Sequence, residues 1–178
     1  KQAASSEIRL MGLRDDARDT FWKVLDVAYF LRHDASEIAW HTCHLYYRVN
    51  AEAPVVKARV IGQNQGLQIM VYAKDRPDLF VAICAYFDQH TLSIQDARIH
   101  TTHHGWALDS FIVLLPSRDT DYRSWASLVE HELTDALQKA LPSNAEVPRP
   151  VVGRMSRRSR VFPIVPNVEL QPDENSKS

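Results

Sequence analysis

The sequence predicts an α+β sandwich, with two helices on one face of a four-stranded antiparallel sheet and a helical hairpin before it. Three observations predict this fold. Short apolar runs alternate with amphipathic helical stripes in the order β-α-β-β-α-β from residue 67 onward. Gly105 separates the two central runs, where a tight hairpin turn is expected. The 178 residues, 45% of them hydrophobic, suffice for one core with accessory structure.

The amino-terminal part is predicted to be helical. Apolar residues recur at helical spacing over residues 19–31. A second helix is expected to begin near Ser36, which offers a capping hydroxyl, and to end before Pro54. Together these helices would form a hairpin. Residues 55–61 are β-branched and short, so they could form a strand that leads into the sheet.

The first strand and helix of the main domain follow directly. Residues 67–73 form a nearly continuous apolar run, which is typical of a buried strand. The segment Asp75-Arg76-Pro77 closes this strand, and its proline suits the first turn of a helix. Residues 78–90 then carry one apolar stripe at helical spacing. We therefore expect this helix to pack against the sheet.

The next two strands are predicted to form a hairpin. Residues 92–102 and 106–115 are joined by His103-His104-Gly105, whose glycine suits a tight turn. The apolar side chains of the first strand change parity along its length. A β-bulge near Gln95-Asp96 would explain that change.

The last part of the chain is predicted to hold one helix and one edge strand. Residues 125–140 have apolar residues at helical spacing and are followed by Pro142. Residues 143–159, rich in proline and arginine, are expected to be a loop. Residues 161–170 contain two prolines, which exclude a central strand but allow an edge strand. The order is that of a ferredoxin-like βαββαβ sandwich, whose right-handed crossovers place both helices on one face.

The other face of this sheet is predicted to be covered. In residues 106–115 both alternating sets of side chains are largely apolar, as they are in residues 67–73. A solvated face would instead alternate with polar residues. The candidates for the cover are the helical hairpin, a second copy of the domain, or the rest of a longer polypeptide.

Composition excludes several classes of protein. The net charge is −1, so the excess of basic residues typical of nucleic-acid binders is absent. Residues 106–115 also lack the basic-aromatic signature of RNA-recognition modules. No apolar run approaches the ~18 to 20 residues that span a bilayer. Only Cys43 and Cys84 occur, which fits a reducing compartment. We expect a cytoplasmic protein with no nucleic-acid or membrane partner.

Histidine-containing motifs leave metal binding as an alternative. His33-Asp34 is similar to the metal-binding dyad of HD hydrolases, but the further ligands are not evident, and a polar helix terminus between two helices is the favoured interpretation. The pairs His41/His44 and His103/His104 lack the spacing of a zinc helix. A helix surface and a hairpin turn are the favoured interpretations of these pairs, so no metal site is predicted.

Residues 154–160 form a basic stretch with four arginines. A solvated linker is the favoured interpretation. Contact with nucleic acid, a protein partner or an acidic surface of a parent enzyme is the alternative. The arginines are Arg154, Arg157, Arg158 and Arg160.

Several segments together resemble an ACT domain, in their order and their spacing. Its strand-to-helix junction would be Asp75-Arg76-Pro77-Asp78-Leu79-Phe80, followed by the strand segments 92–99 and 105–111. The flanking segments Leu31-Arg32-His33-Asp34 and Arg160-Val161-Phe162 narrow the resemblance to one family of proteins with ACT domains. The whole set resembles the first of two ACT domains in the bifunctional protein-PII uridylyltransferase and uridylyl-removing enzyme family.

This resemblance implies a regulatory fragment of a larger enzyme. The parent would have nucleotidyltransferase and metal-dependent HD hydrolase domains, with Mg²⁺ as the expected metal, and would act on the PII protein. Glutamine, sensed by ACT domains, would switch uridylylation toward de-uridylylation and so control nitrogen metabolism. The fragment itself would have neither catalytic residues nor a cofactor. The alternative function is a ferredoxin-like docking module that forms a homodimer through its sheet and binds no small molecule.

The resemblance also implies domain boundaries. Residues 1–54 would follow the HD domain, and residues 55–172 would form the ACT domain with its core at 67–172. Residues 173–178 would link it to a missing second ACT domain. The absence of an initial Met agrees with a piece cut from a longer polypeptide.

The predicted ligand site is the junction between the first strand and helix of the domain. A helix amino terminus offers N–H groups to an α-carboxylate, and an acidic side chain can hold an α-amino group. In the family the ligand also contacts the start of the second strand of a neighbouring domain. The predicted site residues are Asp75, Arg76, Pro77, Asp78 and Leu79, with Ser93, Ile94 and Gln95 opposite.

Asp78 departs from the family pattern. Effector-binding copies read D-x-P-G-L, and this chain has Asp78 in place of the glycine. A carboxylate there would repel the carboxylate of the ligand. Two alternatives therefore stay open: Asp75 and Asp78 only cap the helix, or glutamine binds chiefly to the second domain.

Overall fold

A computed structural model of the chain describes residues 2–10, 15–62, 66–115 and 121–139. This part of the chain contains six helices and four strands. In chain order they are α1 Gln2–Leu10, α2 Asp15–Trp22, α3 Val27–Arg32, α4 Ala35–Leu45, β1 Val55–Ile61, β2 Gly66–Lys74, α5 Leu79–Gln89, β3 Ser93–Arg98, β4 Trp106–Leu114 and α6 Tyr122–Lys139.

The four strands form one antiparallel sheet in the order β1-β2-β4-β3. β2 and β4 are central, and Leu67 pairs with Val113 at one end of their ladder. The hairpin turn before β4 has Gly105 at φ +81°, a conformation that L side chains rarely adopt. The register shifts between Ile94 and Asp96, so the predicted β-bulge is confirmed.

The predicted ferredoxin-like α+β class is confirmed, but β1 supplies its fourth strand. β1 pairs antiparallel with β2, so that Val55 lies opposite Tyr72. The edge beside β2, which the predicted order assigns to residues 161–170, is therefore filled by an earlier segment. Residues 161–170 and the predicted loop 143–159 lie outside the described residues.

The larger core lies between the sheet and the pair α5 and α6. Its residues come from one face of β2 and β4 and from the apolar stripes of both helices. Burial of each large apolar side chain stabilises the fold by about 1.5–3 kcal/mol. The buried residues include Ile69, Val71, Ala73, Leu79, Ile83, Phe87, Phe111, Val113, Val129, Leu133 and Leu137.

The amino-terminal helices cover the other face of the sheet. The second core joins these helices to the opposite side of β2 and β4, which explains why both parities of these strands are apolar. Of the three candidates for the cover, the structure thus selects the helical segment of the chain itself. Its buried residues include Phe21, Tyr29, Ile38, Leu45, Met70, Tyr72 and Leu108.

Two details of the predicted helical hairpin were wrong. The helix expected over residues 19–31 is divided into α2 and α3, because the Asp26 side chain accepts a hydrogen bond from the Tyr29 N–H (2.8 Å) and starts a new helix. The cap of the next helix is Asp34, which accepts from the Glu37 N–H at 2.8 Å, and not Ser36.

Candidate functional site

A cleft of about 460 Å³ opens where β2 passes into α5. The end of β2, the first turn of α5, the segment after β3 and the start of β4 form its walls. Four of the predicted site residues line it. The lining residues are Asp75, Arg76, Pro77, Leu79, Phe80, Ile99, Thr101, Ala107 and Asp109.

Asp75 is held in place from two sides. Its backbone N–H donates to the Gly105 carbonyl oxygen at 3.0 Å, which ties the junction to the β3–β4 turn. Its carboxylate accepts a hydrogen bond from the Thr101 hydroxyl at 3.2 Å. The side chain is exposed, so a charged ligand group can reach this carboxylate from solvent.

Arg76 and Asp78 form an ion pair at the start of α5. The Arg76 Nε lies 3.3 Å from the Asp78 Oδ1. Asp78 occupies the N-cap position of α5, but its side chain makes no capping hydrogen bond. The carboxylate that departs from the family pattern is therefore balanced by a guanidinium group. Asp78 is also absent from the residues that line the cleft.

Asp109 adds a buried carboxyl group that sequence reasoning missed. It lies on β4 between Ala107 and Phe111, on the face toward α5, and is only 1% exposed. Its Oδ1 accepts one long hydrogen bond, 3.4 Å, from the His100 backbone N–H. Burial and the nearby Asp75 carboxylate raise the pKa of Asp109 to about 7. The signal available in the sequence was an acidic residue in a strand whose two alternating sets of side chains are otherwise largely apolar.

The cleft thus combines groups suited to a small zwitterion. Asp75 can accept from an ammonium group, whereas Arg76 and the amino terminus of α5 can hold a carboxylate. Apolar side chains, among them Phe80 and Ile99, form the rest of the walls.

The other three predicted site residues lie elsewhere. Ser93 pairs with Leu114 at the far end of β4, whereas the cleft adjoins Ala107 near its start. Ser93, Ile94 and Gln95 are exposed on the edge strand β3. Their predicted role requires a neighbouring domain and stays a prediction.

A second polar cluster lies buried between α4 and the sheet. The Glu37 side chain is 1% exposed. Its Oε1 accepts from Gln68 Nε2 at 2.8 Å and from Ser110 Oγ at 2.9 Å. Its Oε2 accepts from the Arg98 guanidinium. One carboxylate therefore joins the helical segment to β2, β4 and β3.

His41 belongs to the same cluster and is fully buried. Its expected place on a helix surface was wrong, because α4 turns this side chain toward the sheet. The Tyr29 hydroxyl donates to Nδ1 (2.7 Å), and Nε2 donates to the Ser110 hydroxyl (3.1 Å). Burial holds the pKa of His41 well below its usual value. A neutral, inaccessible His–Ser pair of this kind is structural, since no substrate can reach it.

The remaining histidine motifs have structural places. His33 ends α3 and Asp34 begins α4, as the helix-terminus interpretation predicts. His104 lies in the turn before β4, where its Nε2 contacts the Val49 carbonyl oxygen at 3.1 Å. Within residues 2–10, 15–62, 66–115 and 121–139, no group of three or more His, Cys, Asp or Glu residues could hold a metal ion.

The basic stretch 154–160 lies outside the described residues. Among the helices that the structure describes, none is long and apolar enough to cross a membrane.

The chain has close relatives among known proteins. Residues 1–44 match the family described as uridylyltransferase GlnD fifth domain. Over its full length the chain is 58% identical to the bifunctional uridylyltransferase/uridylyl-removing enzyme of Bordetella pertussis and 60% identical to that of Bordetella avium. The enzyme of the same name from Burkholderia lata is 50% identical over 99% of the chain. The chain spans only 20–21% of the length of these relatives.

Proposed function

We propose that the chain is a regulatory ACT segment of a bifunctional uridylyltransferase/uridylyl-removing enzyme and that it senses glutamine for this enzyme. The family resemblance inferred from the motifs is confirmed by these matches. The observation that carries the proposal is the cleft at the β2–α5 junction, where Asp75 and Arg76 offer both charges that an amino acid requires.

In this proposal the glutamine α-amino group binds Asp75. The Thr101 hydroxyl orients that carboxylate, and the exposed position lets a ligand approach without unfolding. The α-carboxylate lies toward Arg76 and the first turn of α5, where the helix dipole favours negative charge. Because Arg76 also pairs with Asp78, repulsion of the ligand by Asp78 is reduced.

The whole-protein roles belong to the same proposal. The parent enzyme would add uridylyl groups to PII and remove them in domains outside this chain, with Mg²⁺ bound there. This segment would supply regulation and no catalytic residue. Glutamine binding would reach those domains through α1–α4, since these helices pack directly on the sheet that carries the cleft.

The docking alternative loses the observation that favoured it. That alternative relied on a sheet face awaiting a partner, and the amino-terminal helices of the chain cover this face.

Titration calorimetry of the chain with L-glutamine tests the proposal. We expect binding that Asp75→Ala weakens at least tenfold, because the ammonium group loses the carboxylate that it contacts at the mouth of the cleft. Asp88→Ala, an exposed change at the other end of α5, is the matched control and should bind like the wild type. Absence of heat at millimolar glutamine, or equal binding by Asp75→Ala, would contradict glutamine sensing at this site.

A further inference from the structure

The cleft has a charged mouth and a buried acidic floor. Asp75 is exposed at the mouth, whereas Asp109 is 1% exposed and yet lines the same cavity. Asp109 lies on the core-facing side of β4, in a position flanked by Ala107 and Phe111. A ligand that fills the cleft from its mouth therefore ends against this carboxyl group.

Few polar groups face Asp109 from the surrounding elements. The junction contributes the Asp75 carboxylate and the Arg76 guanidinium, and α5 contributes the Cys84 thiol. From the segment after β3 come the His100 backbone N–H and the Thr101 hydroxyl. Among the described residues, the Asp109 carboxyl group accepts only this hydrogen bond from His100, which is long at 3.4 Å, so most of its hydrogen-bonding capacity faces the cleft.

A neutral carboxylic acid has one O–H donor and one carbonyl acceptor side by side. A primary carboxamide has the complementary pair, an N–H donor and a carbonyl acceptor. We propose that Asp109 in its neutral form pairs with a primary carboxamide at the inner end of the ligand, and so selects the amide over the corresponding carboxylate. This inference rests on the proposed amino-acid site and assigns its side-chain specificity.

The low polarity around Asp109 explains why the neutral form is available. Burial raises the pKa of this group to about 7, so both forms are populated near neutrality. A carboxylate ligand facing ionised Asp109 would be repelled, whereas an amide ligand meets the neutral acid without any charge. An ammonium group facing Asp109 would instead require the ionised form. Binding of an amide should therefore weaken as the pH rises, whereas binding of an ammonium group should strengthen.

The test compares L-glutamine with L-glutamate by calorimetry on the chain at about pH 6 and about pH 8. We expect glutamine to bind about tenfold more tightly at the lower pH, because the neutral fraction of Asp109 falls about tenfold over this range. Glutamate should bind at least tenfold more weakly than glutamine at about pH 8, where ionised Asp109 repels its side-chain carboxylate. Asp109→Asn should remove the pH dependence and accept glutamate, since an asparagine N–H₂ group can donate to a carboxylate. Tighter glutamine binding at about pH 8, or unchanged discrimination in Asp109→Asn, would overturn the inference.

A second measurement separates this inference from the proposed function. The Asp109 carboxyl carbon is followed by NMR as the chain is titrated with acid, with and without propionamide as the probe. An upward shift of the Asp109 midpoint with propionamide supports the amide pairing even if glutamine itself does not bind. If neither glutamine nor propionamide raises the midpoint, the assignment of Asp109 is wrong, whatever the fate of glutamine sensing.

Discussion

Removal of the Glu37 carboxylate should strongly destabilise the chain. Glu37→Ala leaves Gln68 and Ser110 without their acceptor and leaves the Arg98 guanidinium without its anionic partner. Each donor reaches Glu37 from a different strand, so the change weakens the attachment of α4 at three points of the sheet.

The magnitude follows from the burial of these partners. Gln68 and Ser110 are 5% and 4% exposed, and loss of a partner for a buried polar group costs about 1–3 kcal/mol. Arg98 is 32% exposed and can regain water, which lowers its share. We expect Glu37→Ala to lower the free energy of unfolding by about 3 kcal/mol. Glu37→Gln keeps one acceptor oxygen and should lower it by about 1–2 kcal/mol.

Urea denaturation followed by circular dichroism measures these differences. Glu52→Ala is the matched control, because Glu52 is an exposed carboxylate between α4 and β1, and this change should stay within about 0.5 kcal/mol of wild type. A loss below about 1 kcal/mol in Glu37→Ala would refute the idea that this carboxylate joins helices and sheet. In a double-mutant cycle, Glu37→Ala and Arg98→Ala should be non-additive.

Three further predictions concern other buried or edge groups. Burial depresses the pKa of His41 below its unfolded value, so the free energy of unfolding should fall as the pH drops below about 6.5, by up to about 1.4 kcal/mol per pH unit. Urea denaturation of His41→Gln should show a shallower dependence on pH, and equal slopes in the two proteins would contradict this prediction. Because the pKa of Asp109 is raised, its cost to stability is absent well below pH 4 and grows as the pH rises toward 7. Asp109→Asn should therefore raise the free energy of unfolding by about 2–4 kcal/mol at about pH 8 and change it little at about pH 4. No gain at about pH 8 would contradict the raised pKa. Glu130 accepts hydrogen bonds from the Ala58 N–H at 2.9 Å and from Lys57 Nζ at 2.7 Å, both on the edge strand β1. Thermal unfolding should show that Glu130→Ala lowers the free energy of unfolding by about 1–2 kcal/mol and that Glu130→Gln, which keeps an acceptor oxygen, lowers it by less than about 1 kcal/mol. Equal losses in the two variants would refute the role of this contact.

Sequence patterns predicted the elements of the sheet better than they predicted its edge. Apolar periodicity located β2, β3, β4 and the two helices between and after them, and the parity change located the bulge. These features are local consequences of residue spacing. Which segment pairs with the outer edge of β2 depends on contacts distant in the chain. The structure assigns this place to β1, which the sequence indicated only as a possible strand.

The candidate site also has one part that the sequence predicted and one part that it did not. The junction Asp75-Arg76-Pro77 was recognisable because it is a contiguous motif after a strand. Asp109 is distant from it in sequence and enters the cleft only because β4 pairs with β2 in this register. The burial of His41 depends on which side of α4 faces the sheet, and its spacing from Ile38 and Leu45, at i, i+3 and i+7 of one helix, was the local sign of it.

The sequence by itself thus determined the α+β class, the strand-to-helix junction and the need for a cover on the second sheet face, because each follows from short-range periodicity. Only the tertiary structure decided that the amino-terminal helices provide this cover, that β1 closes the sheet, and that a buried acid lies at the floor of the cleft. These depend on pairings between residues far apart in the chain, whose free energy comes from contacts that no local pattern encodes.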